Sequence, residues 1–371
     1  MMYDQYIRED ILYLMFYAGV AVLSLIASCY LLLRRANAIA PDVTPPVRLR
    51  RWTAAFFAAS ALSHLWNLPM YFHTSSADVL QSYLVGGLLD CMTVGPLAIV
   101  ILLALLQDRK RPLWPVAIML APFVVIMAWC VANRSDDLLP ALYAYFPLFG
   151  IGLIIYMVRA VRQYGRWLRD NYADLEQKEV WQSFIILAFI LLSLGIYTYT
   201  TEGLVLECVI QLTDVVLVCY LLWRVETLSE LSVSQEQDLP TYLDNPDKDE
   251  SSISPNDLTD NIEPLLQKYC VDTRLYLQHE LTLPQLARAI GSNRFYISKY
   301  FSSKGMNYNT YINDLRVNHF VSLYREAVAT HRSFSIKELA NESGYRSYST
   351  FNLAFKQRMG QTVNAWSKLQ K

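Results

Sequence analysis

The chain has 371 residues, 54% of them hydrophobic, with a formal net charge of −1. That apolar share excludes a single soluble domain and the length allows two or three domains. The near-neutral balance conceals unlike parts. From Glu226 to Glu263 eleven acidic residues face Lys248 alone, whereas Leu281 to Lys371 carries thirteen Lys or Arg against Asp314, Glu326, Glu338 and Glu342. The basic end needs an anionic partner, and the acidic stretch reads as a solvated linker.

Seven apolar runs, at 11–33, 52–72, 79–106, 113–132, 138–158, 181–201 and 204–223, are each long enough to cross about 30 Å of hydrocarbon as a helix. The first is too long for a signal peptide, and its leader, with Asp4, Arg8, Glu9 and Asp10, lacks a basic start, so it reads as a retained span. Only Thr201-Glu202-Gly203 separates the last two runs. With the N-terminus outside, the inside loops collect Arg34, Arg35, Arg48, Arg50, Arg51, Arg109, Lys110, Arg111, Arg159, Arg162, Arg166, Arg169 and Lys178. The outside segments keep only Arg8 and Arg134. This positive-inside bias predicts an inner-membrane, multi-pass protein with its C-terminal part in the cytosol.

Within the spans the costly residues are Asp90 in the third, Glu207 and Asp214 in the seventh, and His64 and Asn67 in the second. Glu207, Gln211 and Asp214 fall at i, i+4 and i+7 and share a helix face, as do His64 and Asn67. The set forms either an interhelical network that locks the bundle or a site for a signal ligand. No lysine occurs in any span, which excludes a retinal Schiff base. Gly86-Gly87, Gly95-Pro96, Pro69, Pro122 and Pro147 are sites of kinking or close packing, and Trp52, Trp114 and Trp181 lie where interfacial anchors belong. Cys29, Cys91, Cys130, Cys208, Cys219 and Cys270 have no paired spacing suited to zinc or redox work and read as small apolar fillers. No metal and no cofactor is implied.

After Trp223, Arg224 to Leu231 can continue the last helix, and then Pro240, Asn245-Pro246, the Asp247–Glu250 charges and Ser251–Pro255 break regular structure. The predicted organisation is a membrane domain over 1–224, an acidic linker over 225–255 and a cytosolic domain over 256–371. Asp257 or Thr259 can cap a helix whose stripe is Ile262, Leu265, Leu266 and Tyr269.

The segment 281–301 then reads as a helix-turn-helix. Pro284 starts a short helix, Gly291 supplies the positive φ of the turn, and Asn293 caps a second helix with Leu286, Ala287, Ile290, Ile297 and Phe301 inward. About fifty residues later the plan recurs. Ser335 and Glu338 form a capping box, Gly344 makes the turn, and Ser347 caps Tyr348 to Arg358 with Phe351 and Phe355 inward. Between the units, Tyr308 to Arg325 reads as one helix with Tyr311, Leu315, Asn318 and Ser322 marking a face. Such a connector fixes two recognition helices for successive major grooves if they stand about 34 Å apart.

On these residues the last 115 or so positions resemble the AraC-type family of bacterial transcription regulators. The resemblance is carried by Leu286-Ala287, Gly291 and Phe301; by Tyr311-Ile312-Asn313-Asp314-Leu315-Arg316-Val317; and by Gly344-Tyr345-Arg346-Ser347-Tyr348-Ser349-Thr350-Phe351. Phe355-Lys356 and Gly360-Gln361-Thr362-Val363 complete it. Tyr345 stands where Phe is usual and Val363 where Pro is usual. The resemblance implies a double helix-turn-helix that binds double-stranded promoter DNA, with RNA polymerase as a further partner. It covers under a third of the chain and does not extend to residues 1–223.

Side chains off the buried stripes are the DNA-contact candidates: Arg294, Phe295, Ser298 and Lys299 in the first unit, and Arg346, Tyr348, Ser349, Asn352 and Lys356 in the second. Arg and Asn suit paired hydrogen bonds to guanine and adenine edges, while Lys356, Arg358 and Lys304 suit phosphates. The sequence thus predicts an all-α protein, a polytopic seven-helix membrane bundle followed by a cytosolic tandem helix-turn-helix. It reads as a membrane-embedded, non-enzymatic transcription regulator that responds to a signal ligand or membrane partner and can work as a homodimer. The rivals are a transporter or enzyme with a regulatory DNA-binding tail, which would need a nucleophile, metal cluster or ion relay, and an anchored regulator controlled by a protein partner.

Overall fold

The computed structural model describes residues 11–34, 37–41, 43–109, 111–200, 203–231 and 262–370. The acidic linker beyond Leu231, the caps at Asp257 or Thr259, Arg8, Arg35, Lys110 and the Thr201-Glu202 junction lie outside these residues. The described residues are helical, with only an isolated antiparallel bridge, Tyr172 to Thr282, in place of strands. Two compact units result: Met1–Arg162 with Val180–Leu231, and Gln163–Glu179 with Ser232–Lys371.

The first unit contains α1 (Ile11–Leu33), α2 (Val47–Asn67), which runs into a 3-10 turn at Leu68–Tyr71, α3 (Ser76–Met92), α4 (Val94–Ala104) and α5 (Trp114–Asn133). The start of α6 (Leu139–Asn171), then α7 (Trp181–Thr200) and α8 (Leu204–Thr227), complete it. Among the described residues five stretches are long and apolar enough to cross a membrane: Ile11–Leu33, Ser76–Ala104, Trp114–Asn133, Leu139–Asn171 and Leu204–Thr227. The other two expected spans are helical but fall short of that measure. In α2 the opening Arg48, Arg50 and Arg51 dilute the apolar run, and in α7 the described apolar stretch is Trp181–Ile190. Met15, Val22, Leu25 and Ile26 on α1 and Phe146, Ile151 and Ile154 on α6 are exposed. Such area is unfavourable in water and at home in hydrocarbon.

Three boundaries differ from expectation for physical reasons. The third apolar run breaks at Thr93, where φ is −122° and ψ −71°. Pro96 lacks an N–H and its ring displaces the carbonyl four residues back, at Met92, while Thr93 Oγ1 donates to Leu89 O at 2.6 Å. The fifth run, expected to end near residue 158, continues as helix through Arg159, Arg162, Arg166 and Arg169 to Asn171. Its 33 residues measure about 50 Å, well beyond the hydrocarbon thickness. At the end of α8 the chain leaves the helix after Thr227 but stays packed, with Val225, Leu228 and Leu231 buried. There the buried Glu226 carboxylate accepts from Tyr30 Oη, from Ala38 N at 3.0 Å and from Ile39 N at 2.8 Å. Of the cysteines, Cys130 and Cys270 are buried fillers as expected, whereas Cys29 and Cys219 lie on exposed helix faces.

The second unit holds α9 (Ile262–Leu266), continued by a π turn at Gln267–Val271, a 3-10 turn at Leu275–Leu277, α10 (Leu283–Ala289) and α11 (Arg294–Ser303). Then come α12 (Tyr308–Ala329), α13 (Ile336–Glu342), α14 (Tyr348–Met359) and α15 (Val363–Leu369). Its interior forms two clusters. One joins Ile262, Leu266, Cys270, Leu286, Ile297, Phe301 and Ile312. The other joins Phe320, Tyr324, Leu339, Phe351, Phe355 and Trp366. Each fully buried side chain of this size contributes about 1.5–3 kcal/mol relative to exposure. The face of α12 that feeds both clusters is Tyr308, Ile312, Arg316, Phe320 and Tyr324, at spacing four. The expected face differs: Asn318 and Ser322 are exposed, and Tyr311 and Leu315 only half-buried. Arg316 is the exception in this apolar row. It is 1% exposed, its Nε donates to Tyr276 O and a terminal nitrogen to Gln278 O, both at 2.7 Å, and its guanidinium lies over the Tyr345 ring. Burial lowers its pKa from the ordinary arginine value.

Candidate DNA interface and intramembrane polar cluster

Local chemistry fixes the four short helices of the second unit. Thr282 caps α10 in a box with Gln285, a pair that sequence reading passed over, and Pro284 sits in the first turn. Asn293 Oδ1 accepts from Phe295 N at 2.9 Å to start α11. Ser335 and Glu338 form the expected box on α13, where the Ser335 backbone N–H bond holds the Glu338 carboxyl below its usual pKa. Ser347 starts α14, its Oγ accepting from Thr350 N at 3.2 Å. Gly344, at φ +89°, joins the second pair, and a Cβ there would stand 2.8 Å from Leu277 O. No L side chain fits. The two departures from the family pattern are absorbed. Tyr345 Oη donates to Asn313 O at 3.4 Å, and the buried Val363 follows a Thr362 cap that accepts from Ala365 N.

The inward residues Leu286, Ala287, Ile290, Ile297, Phe301, Phe351 and Phe355 are all buried. On α11, Phe295 and Lys299 are exposed and Arg294 and Ser298 half-buried. On α14, Tyr348, Ser349 and Lys356 are exposed and Asn352 half-buried, with Arg346 exposed just before the helix. Each set therefore lies on the outer side of its helix, at spacing three to four. Arg346 pairs with Glu280 at 2.9 Å, Lys304 with Glu263 at 3.0 Å and Arg358 with Asp314 at 3.3 Å. Pairs this exposed are screened by solvent and add little to stability.

One neighbour of this face was not legible in the sequence. The segment after α6 packs within the same unit: Ala173 belongs to the first core cluster, and its N–H donates to Leu281 O at 3.4 Å. Asn309 Nδ2 donates to Tyr172 O at 3.1 Å and to Ala173 O at 2.7 Å, and Asn313 Nδ2 to Ala173 O at 3.1 Å. Farther along, the Glu176 carboxylate accepts from Ser349 Oγ at 3.2 Å and from Thr350 Oγ1 at 3.0 Å.

In the first unit the predicted polar residues meet in two groups. His64 Nε2 is 3.0 Å from Gln211 Oε1 and its Nδ1 is 2.8 Å from Ser60 O. Asn67 Nδ2 and Trp66 Nε1 each donate to the Asp90 carboxylate at 3.1 Å. Asp214 lies within electrostatic reach of both His64 and Asp90. Glu207 stands apart from these. It accepts from Tyr13 Oη at 3.0 Å, and Tyr13 and Tyr71 share a 2.9 Å hydrogen bond. Tyr17 Oη donates to His64 O at 2.9 Å and its ring packs on the imidazole. The tyrosines were missed, although Tyr13 and Tyr17 at i and i+4 on one apolar helix are a readable signal. Gly86 is where Asn67 needs room, since a Cβ there would fall 1.8 Å from Asn67 Oδ1. Among the described residues no group of three or more His, Cys, Asp or Glu is placed to hold a metal ion.

Residues 286–368 match the model of a helix-turn-helix domain family, of the AraC type. No curated protein and no solved structure matches the chain. The C-terminal domain is thus similar to the helix-turn-helix domains with which AraC-type transcription regulators bind DNA.

Proposed function

We propose that the chain is a membrane-embedded one-component transcription regulator. The carrying observation is that a match to a helix-turn-helix domain at 286–368 and five long apolar helical stretches belong to one polypeptide. In this reading α2 with its 3-10 extension and α7 also cross the bilayer, giving seven spans, an outside N-terminus and a cytosolic C-terminus. The cation distribution of the loops supports that orientation. Arg294, Phe295, Ser298 and Lys299, with Arg346, Tyr348, Ser349, Asn352 and Lys356, form the face for promoter DNA. Their outward placement and the basic excess of the domain support this, and RNA polymerase and a second copy are its natural partners at a promoter.

The polar groups of α1, α2, α3 and α8 form the signal-responsive element. Hydrogen-bonded carboxylates in hydrocarbon are costly unless every partner is in place, so a ligand or a shift of one helix re-sorts the whole set. Asp214→Asn should change promoter output of the full-length protein while leaving its amount in the membrane at the wild-type level. Unchanged output and unchanged signal response would reduce the bundle to an anchor.

Topology is the first test. A reporter active only in the cytosol should work when fused after Lys371, and one active only outside should work in the Thr74–Asp78 loop. An external C-terminus would end the proposal, because the reader would never meet DNA.

A further inference from the structure

We infer that residues Tyr172–Glu179 form an intramolecular strap that competes with DNA for the second recognition helix; this rests on the reading of Tyr348–Met359 as a DNA-contacting helix. The strap has an anchor and a blocking group, and different residues supply them. The anchor is Tyr172 and Ala173, which are 3% and 1% exposed and held by Leu281, Asn309 and Asn313. Beyond the anchor the chain turns sharply. Asp174 Oδ1 accepts from Glu176 N at 3.1 Å, and Tyr164 Oη donates to Lys178 O at 2.8 Å, so both sides of Glu176 are fixed. Glu176 itself is exposed, and its two carboxylate oxygens take one hydroxyl each from Ser349 and Thr350 in the first turn of α14.

That position is what makes the contact a competition. A helix N-terminus with hydroxyls in its first turn favours an anion, and on DNA the anion would be a backbone phosphate. Glu176 supplies the negative charge from within the chain and repels the phosphate that would replace it. Because Glu176 is exposed, its contact adds little to stability and its removal leaves the anchor in place. The strap is also the direct continuation of α6 and the lead into α7. Movement of either helix therefore acts on Glu176 through a few residues of covalent chain, without any mobile second messenger.

The test uses the full-length protein in lipid nanodiscs and duplex DNA enriched from a randomised pool. Glu176→Ala should bind that DNA about tenfold more tightly than wild type, the size of a typical coupling between sites, and should raise promoter output in the absence of signal. Equal or weaker binding by Glu176→Ala overturns the strap. Failure of both proteins to bind any duplex, even at low salt, overturns the reading of the domain as a DNA reader instead. As a second measurement, Glu176→Cys combined with Ser349→Cys should be joined by a short bis-thiol reagent when DNA is absent, and the joined protein should lose most of its DNA binding. No joining, or joined protein that binds as tightly as unjoined, also overturns the strap.

Discussion

In the first helix-turn-helix unit the recognition helix starts from Asn293 and carries Phe295 65% exposed. In the second it starts from Ser347, and the hydroxyls of its first turn are held by Glu176. The interiors differ as well. Phe301 has ring contacts with Tyr300, Tyr308 and Tyr311, whereas Phe351 sits among Phe320, Tyr345, Tyr348 and Phe355 in a cluster closed by Trp366. Both units thus obey the same local code of cap, turn glycine and inward aromatic. What lies against the finished helix is decided by chain far away in sequence: Glu176 meets the second helix through Ser349 and Thr350.

The largest effect should come from the aromatic cluster. Phe351→Ala leaves a cavity costing about 3–5 kcal/mol and should unfold the second unit before the first. Limited proteolysis across a urea series should then cut within 336–369 while 283–303 stays protected. Simultaneous loss of both units would show that they fold as one. Next is the joint between them. Arg316→Ala leaves Tyr276 O and Gln278 O without their donor, at a cost of about 3 kcal/mol. It should lower the unfolding midpoint of both units together, which the same urea series reads directly.

Smaller effects separate reading from folding. Arg294→Ala and Asn352→Ala should each weaken a specific site by about 1–3 kcal/mol while non-specific binding is nearly kept. A filter-binding titration with specific and scrambled duplexes decides this, and equal loss on both would assign the residues to phosphates. Ser335→Ala removes a cap shared with Glu338 and should cost about 1 kcal/mol. It should move the midpoint of the second unit only, whereas Thr282→Ala should move the first.

The C-terminal domain was legible because its determinants are local. Asn293, Ser335, Ser347, Gly291 and Gly344 act within a few residues of where they stand, and each does what its side chain or lack of one dictates. The Thr282–Gln285 box was equally local and was simply passed over. The face of α12 was misread because its buried row includes Arg316, a charge that hydropathy assigns to solvent and that two carbonyls and an aromatic ring hold inside. Contacts such as Glu176 with Thr350 span nearly half of the polypeptide and leave no periodic trace. Among the apolar helices of the N-terminal part the acidic and amide residues were visible as polar groups in apolar runs, but their partners were not. Tyrosine is counted with the hydrophobic residues of the composition, so the hydroxyls that Glu207 accepts from were hidden there.

The place of Ala173 in the first core cluster has a consequence for biosynthesis. Residue 173 leaves the ribosome ahead of Leu281, with which it packs, by about 100 residues, or roughly 5–20 s of synthesis. During that interval Ala173 waits without its partner, and the first helix-turn-helix unit completes its interior only by closing onto chain that was made earlier. Nascent chains arrested before residue 281 should therefore be cut by protease near Tyr172, and chains arrested well after Ile312 should be protected there.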